Sequence, residues 1–248
     1  MLRLWQRREN YEKSLERPPP DGFTLAEVLI TIGIIGVVAA LTLPTLINNH
    51  KRKVLESKFK KGYSTLQNAY LVYSGLNNNN IKDFISAPEW YNKKENTAPF
   101  IDSFPNGIKS YGSITPVNGK LNSTASDYYN LSMLRYDGSP IHRQGLYRGS
   151  IQLNDGLTFT IYNNGDVKNQ FIIILDTNGA GSKPNRIGYD IFFFTIIDNK
   201  VIPIAPSGTS LYFTSIVLDP AGAGNTYYAV QNVCPTNPKK NYWECLQL

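Results

Sequence analysis

Side chains that do acid–base, nucleophilic and metal chemistry are scarce in this chain of 248 residues, which has two histidines, two cysteines and two methionines. His50 stands among basic residues and His142 in a Gly/Arg-rich stretch. Cys234 and Cys245 lie at a spacing that fits no zinc pattern, with only those histidines to complete a ligand set. Neither Gly-x-Ser-x-Gly nor His-Glu-x-x-His occurs, and Gly222-Ala223-Gly224-Asn225 lacks the Lys and Ser/Thr of a phosphate-binding loop. Catalysis therefore finds no support, and nothing in the sequence requires a cofactor. Charge is missing locally as well. No Lys or Arg lies between Phe23 and His50, and Val28–Ile47 holds no charged residue at all.

Those 20 uncharged residues span roughly 30 Å at about 1.5 Å each, the hydrocarbon thickness of a bilayer. The membrane helix follows directly, but Glu27, just ahead of the run, needs a reason. A carboxylate at that depth costs at least a few kcal/mol unless it finds a partner. Cutting the chain between Gly22 and Phe23 would supply one. The new α-amine is a cation at neutral pH, able to meet Glu27 of its own helix or of a neighbouring chain.

Gly22-Phe23-Thr24-Leu25-Ala26-Glu27 followed by an apolar helix resembles the processing site of type IV prepilins and type II secretion pseudopilins. The resemblance covers Gly22 to about Pro44. It implies cleavage after Gly22 by a prepilin peptidase on the cytoplasmic side and N-methylation of Phe23. It also implies that Glu27 pairs with the Phe23 amine of an adjacent subunit in a filament. Gly36 and Pro44 stand where the family's helix can unwind on assembly. From the residues alone, Pro44 removes the hydrogen bond to the Ala40 carbonyl, so a kink or opening is expected there. Gly33, Gly36, Ala39 and Ala40 form a small-residue surface that lets helices approach. Common Gly and Pro usage in membrane helices accounts for these residues equally well.

Residues 1–22 read as a leader with five basic and four acidic residues, and Pro18-Pro19-Pro20 keeps it extended ahead of the cut. Lys51, Arg52, Lys53, Lys58, Lys60 and Lys61 follow the apolar run, so charge does not decide orientation. The cytoplasmic leader is an implication of the resemblance. Two rival readings stay open. An ordinary signal anchor would keep residues 1–22, and cleavage after Val38-Ala39-Ala40 would release a soluble product. The chain carries +6 overall, and loss of the leader leaves +5. Much of it clusters beside the apolar run, where anionic lipid head groups are the ordinary partner. Nucleic acid is the minority reading, testable by the salt dependence of filter binding.

Beyond the run, Leu55, Phe59, Tyr63, Leu66, Tyr70 and Tyr73 recur at spacings of four and three, predicting an amphipathic helix that ends near Gly75. Residues 77–144 are rich in Asn, Ser, Gly, Pro and Tyr. They read either as a folded insert with short helices around Trp90 and 128–134 or as a mobile loop. Short apolar runs then follow at 149–153, 157–162, 171–175, 191–197 and 201–204. Asn154-Asp155-Gly156 and Asp198-Asn199 act as hairpin turns between neighbours, which predicts an antiparallel meander. The fold class is thus α+β, one long helix laid on an antiparallel sheet. That is also the architecture the pilin resemblance implies.

The expected divisions are a leader (1–22), a transmembrane and assembly helix (23–50) and an exported domain (51–248). The domain comprises an amphipathic helix (51–76), a variable insert (77–148), a sheet (149–205) and a C-terminal region (206–248). In an oxidising compartment Cys234 and Cys245 would close a small loop, and free thiols are the alternative. Many type IV pilins close their C-terminal region with a disulfide loop, and this pair is similar. Asp176, Asn178 and Asp190, on a Gly-rich stretch, carry oxygens that suit a hard cation such as calcium. The EF-hand pattern fails at Ala180 and Ile187, and major pseudopilins bind calcium in a loosely similar loop. An Asx-turn joining two strands is the competing reading. Together these features describe a structural subunit of a pilus or secretion pseudopilus. Its partners would be the peptidase, other subunits, inner-membrane lipid and the assembly machinery of a bacterial cell. A minor pilin acting as an adhesin or DNA-binding module, and an anchored envelope protein that does not polymerise, are the alternatives.

Overall fold

The computed structural model describes residues 22–77, 94–111, 115–117, 120–122, 133–140, 146–163, 171–179, 182–205 and 225–246. The leader, Trp90, residues 128–132, His142 and Gly222–Gly224 lie outside them. The chain divides into two units, residues 1–47 and 48–248. Helix α1 (Leu25–Asn77) supplies residues to both.

In the first unit, 22–24 precede the helix, and α1 is assigned without a break through Pro44. Two residues before the proline, Thr42 Oγ1 donates to the Val38 carbonyl at 2.9 Å, a back-bond of the kind that favours bending and does not reach the Ala40 carbonyl. α1 is long and apolar enough to cross a membrane near the N-terminus, and none of its most apolar stretch is buried within the chain. A Cβ built on Gly33 or Gly36 would meet nothing within 4 Å, so both glycines face open space.

The second unit is built on the residue 48–77 part of α1 and a sheet. Phe59, Leu66, Tyr70 and Tyr73 are buried, and Leu55 and Tyr63 pack against them, so the predicted stripe is core. Gly62 lets the helix sit close. A Cβ there would come within 2.7 Å of Leu175 Cδ2, on the sheet. Helix α2 (Lys94–Asp102) adds Phe100 and Ile101 to the same core.

Six antiparallel strands run in the order β1-β4-β5-β6-β7-β8. They are β1 (Gly107–Tyr111), β4 (Leu146–Leu153), β5 (Thr158–Asn163), β6 (Ile172–Asp176), β7 (Ile191–Ile197) and β8 (Lys200–Pro203). β2 (Thr115–Val117) and β3 (Lys120–Asn122) pair with each other. The meander from β4 to β8 follows the predicted runs within three residues at each end. Asp198 and Asn199 both take positive φ, 47° and 58°, as a tight turn between twisted strands requires. Gly156 does so at φ 90° in the β4–β5 turn.

Two departures have physical causes. The sheet begins upstream of residue 149, because β1 comes from the stretch read as insert and pairs Gly107 with Leu153 and Tyr111 with Gly149. Its five residues, Gly-Ile-Lys-Ser-Tyr, are too few and too polar to stand out from loop. Only backbone shape admits Gly107: a Cβ there would lie 2.5 Å from the Gln152 carbonyl oxygen. β6 is buried along its whole length. Ile173 and Leu175 join the helix-facing core, and Ile172 and Ile174 are buried outside that cluster. Helix α3 (Asn225–Gln231) follows, and its Thr226 Oγ1 accepts a hydrogen bond from the Phe193 amide at 2.8 Å. The C-terminal segment folds back to bury Tyr242 and Trp243, with Trp243 5.4 Å from the Phe59 ring and the Tyr242 hydroxyl donating to the Gly188 carbonyl at 2.7 Å.

Candidate functional site

Three constellations expected from sequence fall on described residues. The first is the start of the apolar helix. Gly22 and Phe23 lie ahead of α1 in non-helical backbone, and Phe23 is 89% exposed. The peptide between them is therefore open to an enzyme. At the helix end, Thr24 N and Thr24 Oγ1 both donate to Glu27 Oε2 at 2.8 Å, and Glu27 N donates to Thr24 Oγ1 at 3.2 Å. This reciprocal pair is a capping box, Thr-x-x-Glu, which satisfies amides that the first turn leaves without partners. The signal stands in the sequence as Thr24-Leu25-Ala26-Glu27. It gives Glu27 a task within its own chain.

The second is the C-terminal cysteine pair. Cys234 and Cys245 form a disulfide across a separation of 11 residues, and their Cα atoms lie 5.8 Å apart. The loop is organised from within: Cys234 N donates to the Lys240 carbonyl at 3.1 Å and Asn237 N donates to Cys234 Sγ at 3.2 Å. It is tied to α1 by Arg52, whose Nη2 donates to the Leu246 carbonyl at 3.1 Å.

The third joins Asp176, at the end of β6, to Asn178 and Asp190, just before β7. The structure does bring the three together. Asn178 Nδ2 donates to Asp190 Oδ2 at 3.0 Å, and Asn178 N and Gly179 N donate to Asp176 Oδ1 at 3.0 and 2.9 Å. Asp190 Oδ2 also accepts from Asn185 N at 2.9 Å, and Asp190 Oδ1 accepts from Arg186 N at 2.5 Å. N–H donors thus occupy the positions that a cation would need on Asp190, and Asn178 presents its amide hydrogens there instead of its oxygen. The three residues anticipated as calcium ligands are thus joined to one another and to backbone amides. They make a hydrogen-bonded Asx-type strand connection.

Two oxygens of the cluster, Asp176 Oδ2 and Asn178 Oδ1, are buried without a hydrogen-bond partner. Burial, reinforced by the Asp190 charge, pushes Asp176 up to about 7 against the pull of the Asn178 and Gly179 amides. Asp190 is raised as well, chiefly by burial, while the amides of Arg186 and Asn185 hold it back. Two carboxyls sharing one knot cannot both ionise without cost.

Across the whole chain no protein-family model matches, and no curated protein or solved structure does either.

Proposed function

We propose that the chain is a type IV pilin-like or type II secretion pseudopilin subunit, cleaved after Gly22, N-methylated at Phe23 and assembled into a filament through its apolar helix. The supporting observation is the combination at residues 22–27. An exposed Gly22-Phe23 peptide stands directly before an acid-bearing, capped helix whose apolar stretch is unburied. The long helix laid on an antiparallel sheet and the C-terminal disulfide loop agree with that reading. On it, the subunit waits in the bacterial inner membrane with residues 51–248 exported. The peptidase, sibling subunits and the pilus or secretion machinery are its partners. The role is structural, with no catalytic residue.

A second reading has an observation of its own. The capping box accounts for Glu27 inside one chain, as it would in a signal-anchored envelope protein that never polymerises. Mass spectrometry of the N-terminal peptide separates the two, on protein from native membranes and from sheared surface material. N-methyl-Phe23 is the expected terminus. An intact leader, or a start after Ala40, in cells with an active prepilin peptidase would overturn the proposal.

A further inference from the structure

The second unit contains a cavity of about 640 Å³ that borders the Asp176–Asn178–Asp190 connection, with Asn178 in its lining. That volume falls within the range of small-molecule sites. Helix α1 contributes His50, Lys51, Val54, Leu55 and Lys58, and the connection before β7 contributes Lys183, Pro184, Arg186 and Tyr189. Three lysines and one arginine therefore line it from segments about 130 residues apart in sequence. Asp176 and Asp190 do not line it, and among the described residues no ion pair within 4 Å joins Lys51, Lys58 or Lys183 to a carboxylate. The Lys58 charge nonetheless reaches Asp176, and that of Arg186 reaches Asp137. Like charges gathered in a cleft repel one another and raise the local concentration of an anion.

The guanidinium is held in place. Arg186 Nε donates to the Tyr136 carbonyl at 2.8 Å, Nη2 bonds the same oxygen, and the group lies 4.1 Å from the Tyr189 ring centroid. Nη1 has no partner among the described residues, so the fork is fixed with one nitrogen to spare. Val54 and Leu55 on α1, and Pro184 next to Lys183, add apolar surface to the same lining.

We propose that this cavity binds a phosphate group, with the apolar wall receiving the carbon skeleton of the molecule that bears it. A pinned arginine with three lysines suits a phosphate's several oxygens, where a lone carboxylate would use only one pair. A phospholipid head group and free phosphate share this chemistry. His50 and Lys51 follow the apolar run by three and four residues, which makes the head group an available source. A signal-anchored product that never polymerises would carry the same cavity, so the filament reading and this one can fail separately.

Calorimetric titration of the full chain in neutral-detergent micelles tests it, with short-chain phosphatidylglycerol, short-chain phosphatidylcholine and inorganic phosphate as probes. Lys51→Gln with Lys183→Gln removes two exposed cations from the cavity. Lys239→Gln with Lys240→Gln makes the same charge change on the disulfide loop. The expected result is saturable phosphatidylglycerol binding that weakens at least tenfold in the first variant and stays unchanged in the second. The same pattern with inorganic phosphate but not lipid supports the site and assigns free phosphate as the source. No saturable binding, equal binding of phosphatidylcholine, or equal losses in both variants would overturn it.

Discussion

Glu27 has two competing explanations that respond oppositely to one substitution. In the capping box it acts as an acceptor: Oε2 takes both Thr24 donors at 2.8 Å. Glutamine can fill that role, whereas alanine removes it at a cost of about 1 kcal/mol. In the assembly reading it acts as a charge, meeting the Phe23 amine of a neighbouring subunit between packed helices. Stripping one partner from such a buried pair costs about 3–5 kcal/mol, or roughly two to four powers of ten in the docking equilibrium. Glu27→Gln therefore keeps the cap and deletes the charge. The expected outcome is normal leader cleavage and normal membrane amounts. Sheared filaments should fall at least a hundredfold, with Glu27→Ala scarcely worse. Immunoblots of the sheared and membrane fractions, with the N-terminal mass of each, read this directly. Wild-type filament from Glu27→Gln beside a deficit in Glu27→Ala would refute the charge-pairing argument and leave the cap as the residue's whole role.

Two further outcomes follow from the domain. Asp176 titrates at about 7 in the folded chain against an ordinary 3.8, so between about pH 4 and pH 7 the native state holds a proton that the unfolded state has released. The Asp176 contribution to stability must fall as pH rises through that window and then level off, by about 4 kcal/mol. Asp176→Asn should erase that component, so that its melting temperature relative to wild type rises by about 8–16 °C between pH 4 and pH 8; parallel melting curves would contradict it. Phe59 touches Phe192 and Trp243 at ring distances of 4.4 and 5.4 Å, and Phe59→Ala should cost about 3–5 kcal/mol in denaturant unfolding. A loss under about 1 kcal/mol would mean that the helix stripe is not the core it is described to be.

The parts of the fold that were legible are those where burial imposes a period. The four-and-three spacing from Leu55 to Tyr73 reports one buried helix face, and β7, the run 191–197, is buried over nearly all its length. β1 was not legible, since an edge strand of five residues borrows its order from β4 through backbone bonds. α3 was missed for a similar reason. Its seven residues are anchored by tertiary contacts, Thr226 on the Phe193 amide among them, which helical period alone does not reveal.

Site residues divide along another line. Glu27 was visible as an acid at the head of an apolar run, yet its Thr-x-x-Glu frame was equally visible and has the more local cause. A residue's chemical oddity is thus to be read together with the nearest group able to satisfy it. The Asp176–Asn178–Asp190 cluster makes the same case. Composition placed three oxygen-bearing side chains near one another and suggested a cation, but backbone amides reach Asp190 first. The cationic cavity left no sequence trace, because Lys58 and Lys183 become neighbours only once the helix lies on the sheet. Amides satisfy Asp190 but leave Asp176 Oδ2 without a hydrogen bond, and the Lys58 charge is one that reaches Asp176. Lys51 and Lys183 form no ion pair among the described residues, so the proposed phosphate would answer those two cations first.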